Sequence, residues 1–244
     1  MDKEKQYKKQ RKYFDKEFLL RKNYILEPWQ ESYINRIKNY MLDKDYKGKT
    51  LLDIATGTGY IAVEMARLGL RVTACDLSPQ AIKNLEKYKR KFKLKNLKLE
   101  VCKAEDLPYK SESFDYITAN AILEHITEEQ IAINEWKRVL KKKGKLFVAV
   151  PLRFRYIWPF LWIPNFIHDT NIGHLRRYDL QVLKNKFNLK TKKYFYTGHL
   201  IKVISVILSK IFKIKSLSLL FEILDRKKEN VLYGANNIIV IFQK

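Results

Sequence analysis

The chain has 244 residues, with 49 Lys+Arg against 26 Asp+Glu and a formal net charge of +23. Hydrophobic residues make up 46% of it and aromatics 13%, enough to bury a sizeable core, which excludes a disordered basic tail. The length suits one α/β domain with insertions. Cys75 and Cys102, both in apolar strand-like stretches, are too few for a disulfide framework or a metal cage, and a reducing interior is the simpler expectation.

The first stretch, MDKEKQYKKQRKYFDKEF, is basic but carries no apolar run and no small-residue cleavage site, so it is not read as a signal peptide. Residues 1–47 read as a helical segment in which Tyr7, Phe14, Phe18, Trp29, Tyr33 and Ile37 alternate with charges. Pro28 divides the segment into two helices that pack on a core formed later in the chain. From Lys49 the pattern becomes strand, turn, helix, strand. TLLDIA ends in TGTG and is followed by the helical YIAVEMARLG, stopped by Gly69.

The cycle then repeats. LRVTACD is a second strand, SPQAIKNLEKYKRKF a helix with Ser78 as N-cap and Pro79 at its first position, and LKLEVC a third strand. FDYITAN is a fourth. TEEQIAINEWKRVLKKKG reads as a helix capped by Thr127 and ended by Gly144, and KLFVAV as a fifth strand halted by Pro151. Such alternation predicts a mostly parallel sheet with helices on both faces. An aromatic insertion at 151–177 precedes the helix DLQVLKNKF and the strand KTKKYFY, and an apolar-basic helical insertion at 198–226 precedes the last strand, GANNIIVIFQK. Lys202, Lys210, Lys213 and Lys215 interrupt that second insertion, which therefore reads as lying on a surface and not as crossing a bilayer.

The segment that carries chemistry is LLDIATGTGYIAVEMA. A strand runs into a turn containing Gly57 and Gly59, where missing side chains admit a ligand to the backbone and a helix N-terminus points at the same place. Asp76, at the end of the second strand, is placed to accept hydrogen bonds from a ribose diol. This spacing alone admits either a dinucleotide or a mononucleoside ligand, because Ala62 in the third glycine position is tolerated by dinucleotide binders.

LLDIATGTGY, ACDLS, KAEDLPYKSESFDYI, ANAILEHI and NEWKRVLKKKGKLFVAVP stand in order from Lys49 to Pro151. Together they resemble the class I S-adenosylmethionine-dependent methyltransferases, in particular the group that includes small-molecule, quinone and lipid methylators. The resemblance implies a Rossmann-like, mostly parallel seven-stranded α/β sheet with helices on both faces and an antiparallel last strand, a methyltransferase domain over 48–244, and S-adenosyl-L-methionine as cofactor. It also implies that Asp53 and the turn of Ala55, Thr56, Gly57 and Gly59 face the amino-acid end of the cofactor, with Asp76 at its ribose and Leu77 at its adenine. Ala104 and Glu105 then border the adenine edge, and Asn120 lies under the methionine portion.

Three departures matter. The family usually has Gly where this chain has Ala55, and commonly Asp where it has Lys103, which moves the adenine contact to Glu105 or Asp106. In the ubiquinone O-methylators the loop after the fourth strand reads Glu, two residues, Glu-His, and can hold a divalent metal. Ala121 replaces the first acid here, leaving Glu124 and His125, so no metal is expected.

Methyl transfer from a sulfonium is governed by positioning, with a general base needed only for a weakly nucleophilic acceptor. His125, His168, His174 and Tyr178 are candidate bases or acceptor-pocket residues, each of which could instead order a loop. Arg176 and Arg177 could bind an anionic group on the acceptor or pair with Asp169 or Asp179. Lysines among the apolar residues of 200–224, and the tryptophans of YIWPFLWIPNF, suit an anionic membrane surface. The expected enzyme is thus cytoplasmic, peripheral on the inner face of the cell membrane, and acts on a hydrophobic or lipid-linked small molecule. RNA methylation, suggested by the basic KNLEKYKRKFKLKNLK, and a non-catalytic cofactor-binding partner subunit are the alternatives.

Overall fold

In this chain the strands that read as near-continuous apolar runs are buried on both faces, and helices follow where the apolar period changes to that of a helix. The computed structural model describes residues 3–20, 24–200 and 215–244. Two helices, α1 (Lys3–Leu20) and α2 (Pro28–Arg36), come first, the latter continuing into a wider turn at Ile37–Met41. Next are β1 (Thr50–Ile54), α3 (Tyr60–Arg67), β2 (Arg71–Asp76), α4 (Pro79–Lys91), β3 (Leu97–Val101), β4 (Phe114–Asn120), α5 (Glu129–Val139) and β5 (Leu140–Pro151). The remainder is α6 (Trp162–Ile172), α7 (Leu180–Phe187), β6 (Lys190–Thr197), α8 (Lys215–Arg226) and β7 (Asn237–Gln243).

The seven strands form one sheet in the order β3-β2-β1-β4-β5-β7-β6. β1 to β5 pair in parallel, and β7 runs antiparallel between β5 and β6. Strand order reverses at β1/β4, so the crevice beyond the carboxyl ends of β1, β2 and β4 is where a sheet of this kind takes a ligand. Successive residues point to opposite faces: Leu52, Ile54, Ile117 and Ala119 join the core around Trp136 and Phe187, while Leu51 and Tyr116 join the core around Ile37, Met41 and Phe147.

Helix α4 begins as its sequence predicts, with Ser78 Oγ accepting from Ala81 N at 3.1 Å and Pro79 in the first position. Helix α5 differs. Thr127 is not its cap, since the helix starts at Glu129 and the Thr127 hydroxyl donates to Gln6. Nor does Gly144 end it: the helix stops at Val139, and the lysines that follow belong to β5, where Leu140 pairs with Phe114. Gly144 sits at the register shift of this strand pair, where a Cβ would come within 2.8 Å of the Lys141 carbonyl oxygen. The glycine thus serves a strand irregularity and not a helix end.

Neighbouring β2 and β3 bring the two cysteines together in a disulfide, with Cα atoms 5.7 Å apart, a contact their separate strands did not announce. Helix α8 packs against α2, and Asp225 at its end receives the backbone N–H and ring Nδ1 of His199 at 3.0 and 2.9 Å. The apolar-basic insertion expected at 198–226 otherwise falls largely on 201–214, outside the described residues. Among the described residues, no helix is long and apolar enough to cross a membrane.

Candidate functional site

β1 delivers the chain to the Ala55–Gly59 turn, and α3 departs from it. Asp53 is buried beneath this turn with both carboxylate oxygens engaged, Thr56 Oγ1 donating to Oδ2 at 2.6 Å and Thr118 Oγ1 to Oδ1 at 2.7 Å. Burial pushes its carboxyl up to about 6. Asp53 therefore braces the turn from below and does not line the cavity described next, whereas the family resemblance implies that it faces the cofactor.

Ala55 adopts φ +52°, a left-handed conformation that an L side chain disfavours by about 1–2 kcal/mol. The usual glycine at this position thus has a backbone reason. At Gly59, φ is +74° and an added Cβ would lie 2.3 Å from Leu85 Cδ1 of α4. Its missing side chain admits a neighbouring helix, a different cause from the ligand approach expected. Gly57, with φ +53°, faces Phe18 of α1.

Asp76 ends β2 and accepts the N–H of Gly57 on Oδ2 and of Ser78 on Oδ1, both at 2.8 Å. Burial raises its pKa against the opposing pull of these backbone hydrogen bonds. Each carboxylate oxygen retains acceptor capacity, and Asp76 borders a cavity of about 350 Å³. That is the size range of small-molecule sites. Its floor is the turn together with Leu77 and Asn120, whose Nδ2 donates to Tyr60 Oη at 3.0 Å. A smaller recess of about 50 Å³ shares Ala55, Leu77 and His125 with the larger one and is bordered by Ala104, Glu105 and the two cysteines.

The roof was not foreseen. Tyr13, Phe14, Glu17 and Phe18 of α1 line the cavity with Trp29 of α2. α1 is fastened from both sides: Tyr7 donates to Glu105, Gln10 Nε2 to the His125 carbonyl at 3.1 Å, Ser78 to Asp15, and Asn84 Nδ2 to the Phe18 carbonyl at 2.7 Å. The legible signal was the spacing of Tyr7, Gln10, Phe14 and Phe18, which places them along one helical face.

The acceptor-side candidates separate. His125 is buried, lines both cavities, and packs edge-on against Phe14 with centroids 5.5 Å apart. Burial, reinforced by His174, lowers its pKa to about 3, so its ring is neutral. His174 stands behind it, with ring centroids 4.7 Å apart, and its Nδ1 lies 2.8 Å from Asp169 Oδ1. His168 is exposed on α6 and lines neither cavity. Tyr178 is buried away from them, donating to the Leu123 carbonyl and to Glu129 Oε2 at 3.1 and 2.8 Å. Burial and the Glu129 carboxylate push its hydroxyl far up, so Tyr178 holds structure and is no base for this cavity.

The arginine pair is structural too. Arg177 clasps Asp169 at 2.6 and 3.0 Å and the Leu152 carbonyl at 2.9 Å, while Arg176 donates to the Ile126 and Thr127 carbonyls. Neither side chain lines the cavity.

For a metal, the fold adds what the local sequence lacked. Glu124, His125 and His174 each offer one donor atom, and these lie within 4.8 Å of one another. Glu124 Oε2 and His125 Nδ1 are buried without hydrogen-bond partners, and burial pushes the Glu124 carboxyl up to about 8. Three such donors are of the types that hold a divalent cation.

A family model described as "Methyltransferase domain" matches residues 52–148. The chain is similar to the ubiquinone/menaquinone biosynthesis C-methyltransferase UbiE of Rickettsia akari (strain Hartford), 33% identical over 124 residues, or 48% of this chain and 47% of that protein. It thus spans about half the length of that relative. The ubiquinone biosynthesis O-methyltransferase of Pelagibacter ubique (strain HTCC1062) is 31% identical over 173 residues, 67% of this chain and 71% of that one. In fold, the chain superposes on the geranyl diphosphate C-methyltransferase of Streptomyces coelicolor A3(2) with a TM-score of 0.71 at 14% identity, over 98% of this chain and 97% of that one.

Proposed function

Because the chain belongs to the class I S-adenosylmethionine-dependent methyltransferases, we propose that it moves the methyl group of S-adenosyl-L-methionine to a hydrophobic or lipid-linked small molecule at a membrane surface. The observation that carries this reading is the cavity itself, with a carboxylate floor at Asp76 and an aromatic roof of Tyr13, Phe14, Phe18 and Trp29. Arg11 is the one cationic side chain on its lining among the described residues. A cationic sulfonium is at home over such a floor, and an apolar acceptor under such a roof. A phosphate-rich acceptor would meet little positive charge.

In this reading Asp76 accepts the ribose hydroxyls, Leu77, Ala104 and Glu105 border the adenine, and the Ala55–Gly59 turn and Asn120 hold the methionine portion. Asp53 acts one step away, by fixing Thr56. The reaction is an in-line displacement, so the roof contributes by aligning the acceptor atom with the methyl group and by excluding water. His125, neutral and bordering both cavities, accepts a hydrogen bond from an acceptor hydroxyl, with the Asp169–His174 pair behind it. A divalent cation held by Glu124, His125 and His174 would polarise such a hydroxyl. The reading does not require one, and methyl transfer is expected to persist after exhaustive chelation.

The test is transfer of labelled methyl from S-adenosylmethionine into a fractionated extract of the source cell. Label is expected in the lipid fraction. Entry into RNA would replace this reading with the basic-surface alternative, and cofactor binding without any transfer would favour a non-catalytic subunit.

A further inference from the structure

Helix α6 has two faces of opposite character. Asp169 on its inner side is buried and held by Arg177 and His174, and Ile172 at its end borders the main cavity. Trp162, Ile163, Phe166 and Ile167 fall on a single outward stripe, at the spacing of one helical face. Ile163 is 72% exposed and Phe166 62%. The turn before the helix extends the stripe with Phe160, 61% exposed, and with Trp158, whose ring meets Tyr233 at 4.9 Å between centroids. This aromatic rim is fixed in place: Trp162 Nε1 donates to the Ile157 carbonyl at 3.1 Å, and a Cβ on Gly234 would come within 2.6 Å of Trp158 Nε1.

Soluble surfaces rarely expose so many large apolar groups together. Cations lie close to the stripe in the chain and on the helix that adjoins its C-terminal end. Arg153 and Arg155 share the single carboxylate of Asp179. Helix α1 exposes Arg11, Lys12 and Lys16, and its Gln10 amide reaches the Gly173 carbonyl at 3.4 Å.

From this placement we infer that the outward stripe of α6, with Trp158, Phe160 and Tyr233, is a docking face for an anionic lipid bilayer. The inference rests on the reading of a lipid-linked acceptor and deepens it, because the same helix borders the cavity through Ile172. Large apolar side chains enter the headgroup and upper acyl region, tryptophans settle at the headgroup level, and the neighbouring cations meet anionic lipid. Charge selects the occupant: an apolar face on a strongly basic chain complements an anionic bilayer, whereas a second copy of a chain carrying +23 would be repelled.

The experiment is flotation of the full chain with vesicles of phosphatidylcholine, alone or mixed with phosphatidylglycerol, at low salt. Wild-type protein is expected to float with the mixed vesicles and much less with phosphatidylcholine alone. Ile163→Glu and Phe166→Glu, at sites already exposed, are each expected to lower the partition coefficient by at least about tenfold, since each replaces a large apolar side chain that would be buried in the bilayer by an anionic one. Lys12→Gln with Lys16→Gln should reduce binding to the mixed vesicles alone. Calorimetric binding of S-adenosylmethionine to each variant should match wild type, which separates docking from loss of fold.

Wild-type protein that stays in the soluble fraction overturns the inference, as do glutamate variants that float like wild type. A shift from dimer to monomer in those variants, with vesicle binding unchanged, assigns the face to a second copy and overturns it equally. Label entering a polar metabolite while flotation holds would sink the acceptor reading and leave the docking face standing.

Discussion

The floor and the roof of the cavity are built by different means. The floor joins residues close in sequence or on neighbouring strands: Asp53 to Thr56, Asp76 to Ser78, and Gly57 to Asp76 across the first strand pair. Its buried carboxylates are held by backbone N–H groups and hydroxyls, so its geometry is specified wherever the sheet forms. The roof joins α1 to partners far along the chain, such as Gln10 to the His125 and Gly173 carbonyls and Tyr7 to Glu105. It is a set of side-chain contacts laid over a finished sheet. A floor of this kind suits the constant partner of a reaction and a roof of this kind the variable one, so cofactor and acceptor should respond to different substitutions.

The sharpest way to break that division is Asp76→Ala. It removes an ionised acceptor whose hydrogen bonds are worth about 1.5–3 kcal/mol each, so affinity for S-adenosylmethionine should fall on the order of 100-fold by calorimetry. Unchanged affinity would remove Asp76 from the cofactor site. On the roof, Phe14→Ala should raise the acceptor KM about tenfold through lost apolar contact, while cofactor affinity changes by less than about threefold. An equal effect on both would show that floor and roof do not divide the substrates.

His125, which borders the cavity and packs on Phe14, and its buried neighbour Glu124 give a pH signature. The native Glu124 carboxyl, at about 8 against an ordinary 4.5, keeps its proton where the unfolded chain has lost it. Its contribution to stability is therefore complete below pH 4.5 and disappears as pH rises through 8. Glu124→Gln keeps the neutral form at every pH, so its melting temperature relative to wild type should climb from pH 5 to pH 8. A constant difference would mean that wild-type Glu124 is ionised in the fold. His125 works in the opposite sense: with a native value of about 3 against 6.5, its stability contribution falls as pH drops below 6.5.

The smallest effect belongs to the turn. Ala55→Gly relieves a left-handed alanine but gives the unfolded chain more freedom, so it should stabilise by no more than about 1 kcal/mol in thermal melts.

Much of the floor was legible in advance. The TGTG turn at the end of an apolar strand and Asp76 at the end of the next occupy places the sheet dictates, and both border the crevice. What misled there was cause: Gly59 is bare because Leu85 needs the space, and Asp53 faces the turn instead of the cavity. The LKKKG stretch misled because lysines and a glycine near a helix end look like a C-terminus, yet pairing of Leu140 with Phe114 draws it into the sheet. Propensity yields to a hydrogen-bonded neighbour already in place. Among the four acceptor-side candidates, residue type alone could not separate His125 from Tyr178, since both are polar groups near the same segment and differ only in what burial surrounds them with.

By itself, the sequence determined the sheet, its crevice and the carboxylate at Asp76, because strand periodicity, turn glycines and short-range capping are local properties that repeat with the chain. The tertiary structure decided which distant groups meet. It brought His174 to Glu124 and His125, Cys75 to Cys102, and α1 over the cavity, and it turned Arg177 inward onto Asp169. It also left the stripe of α6 facing outward. Those outcomes depend on packing between segments far apart in sequence, where a side chain's role is set by its neighbours and no local pattern records them.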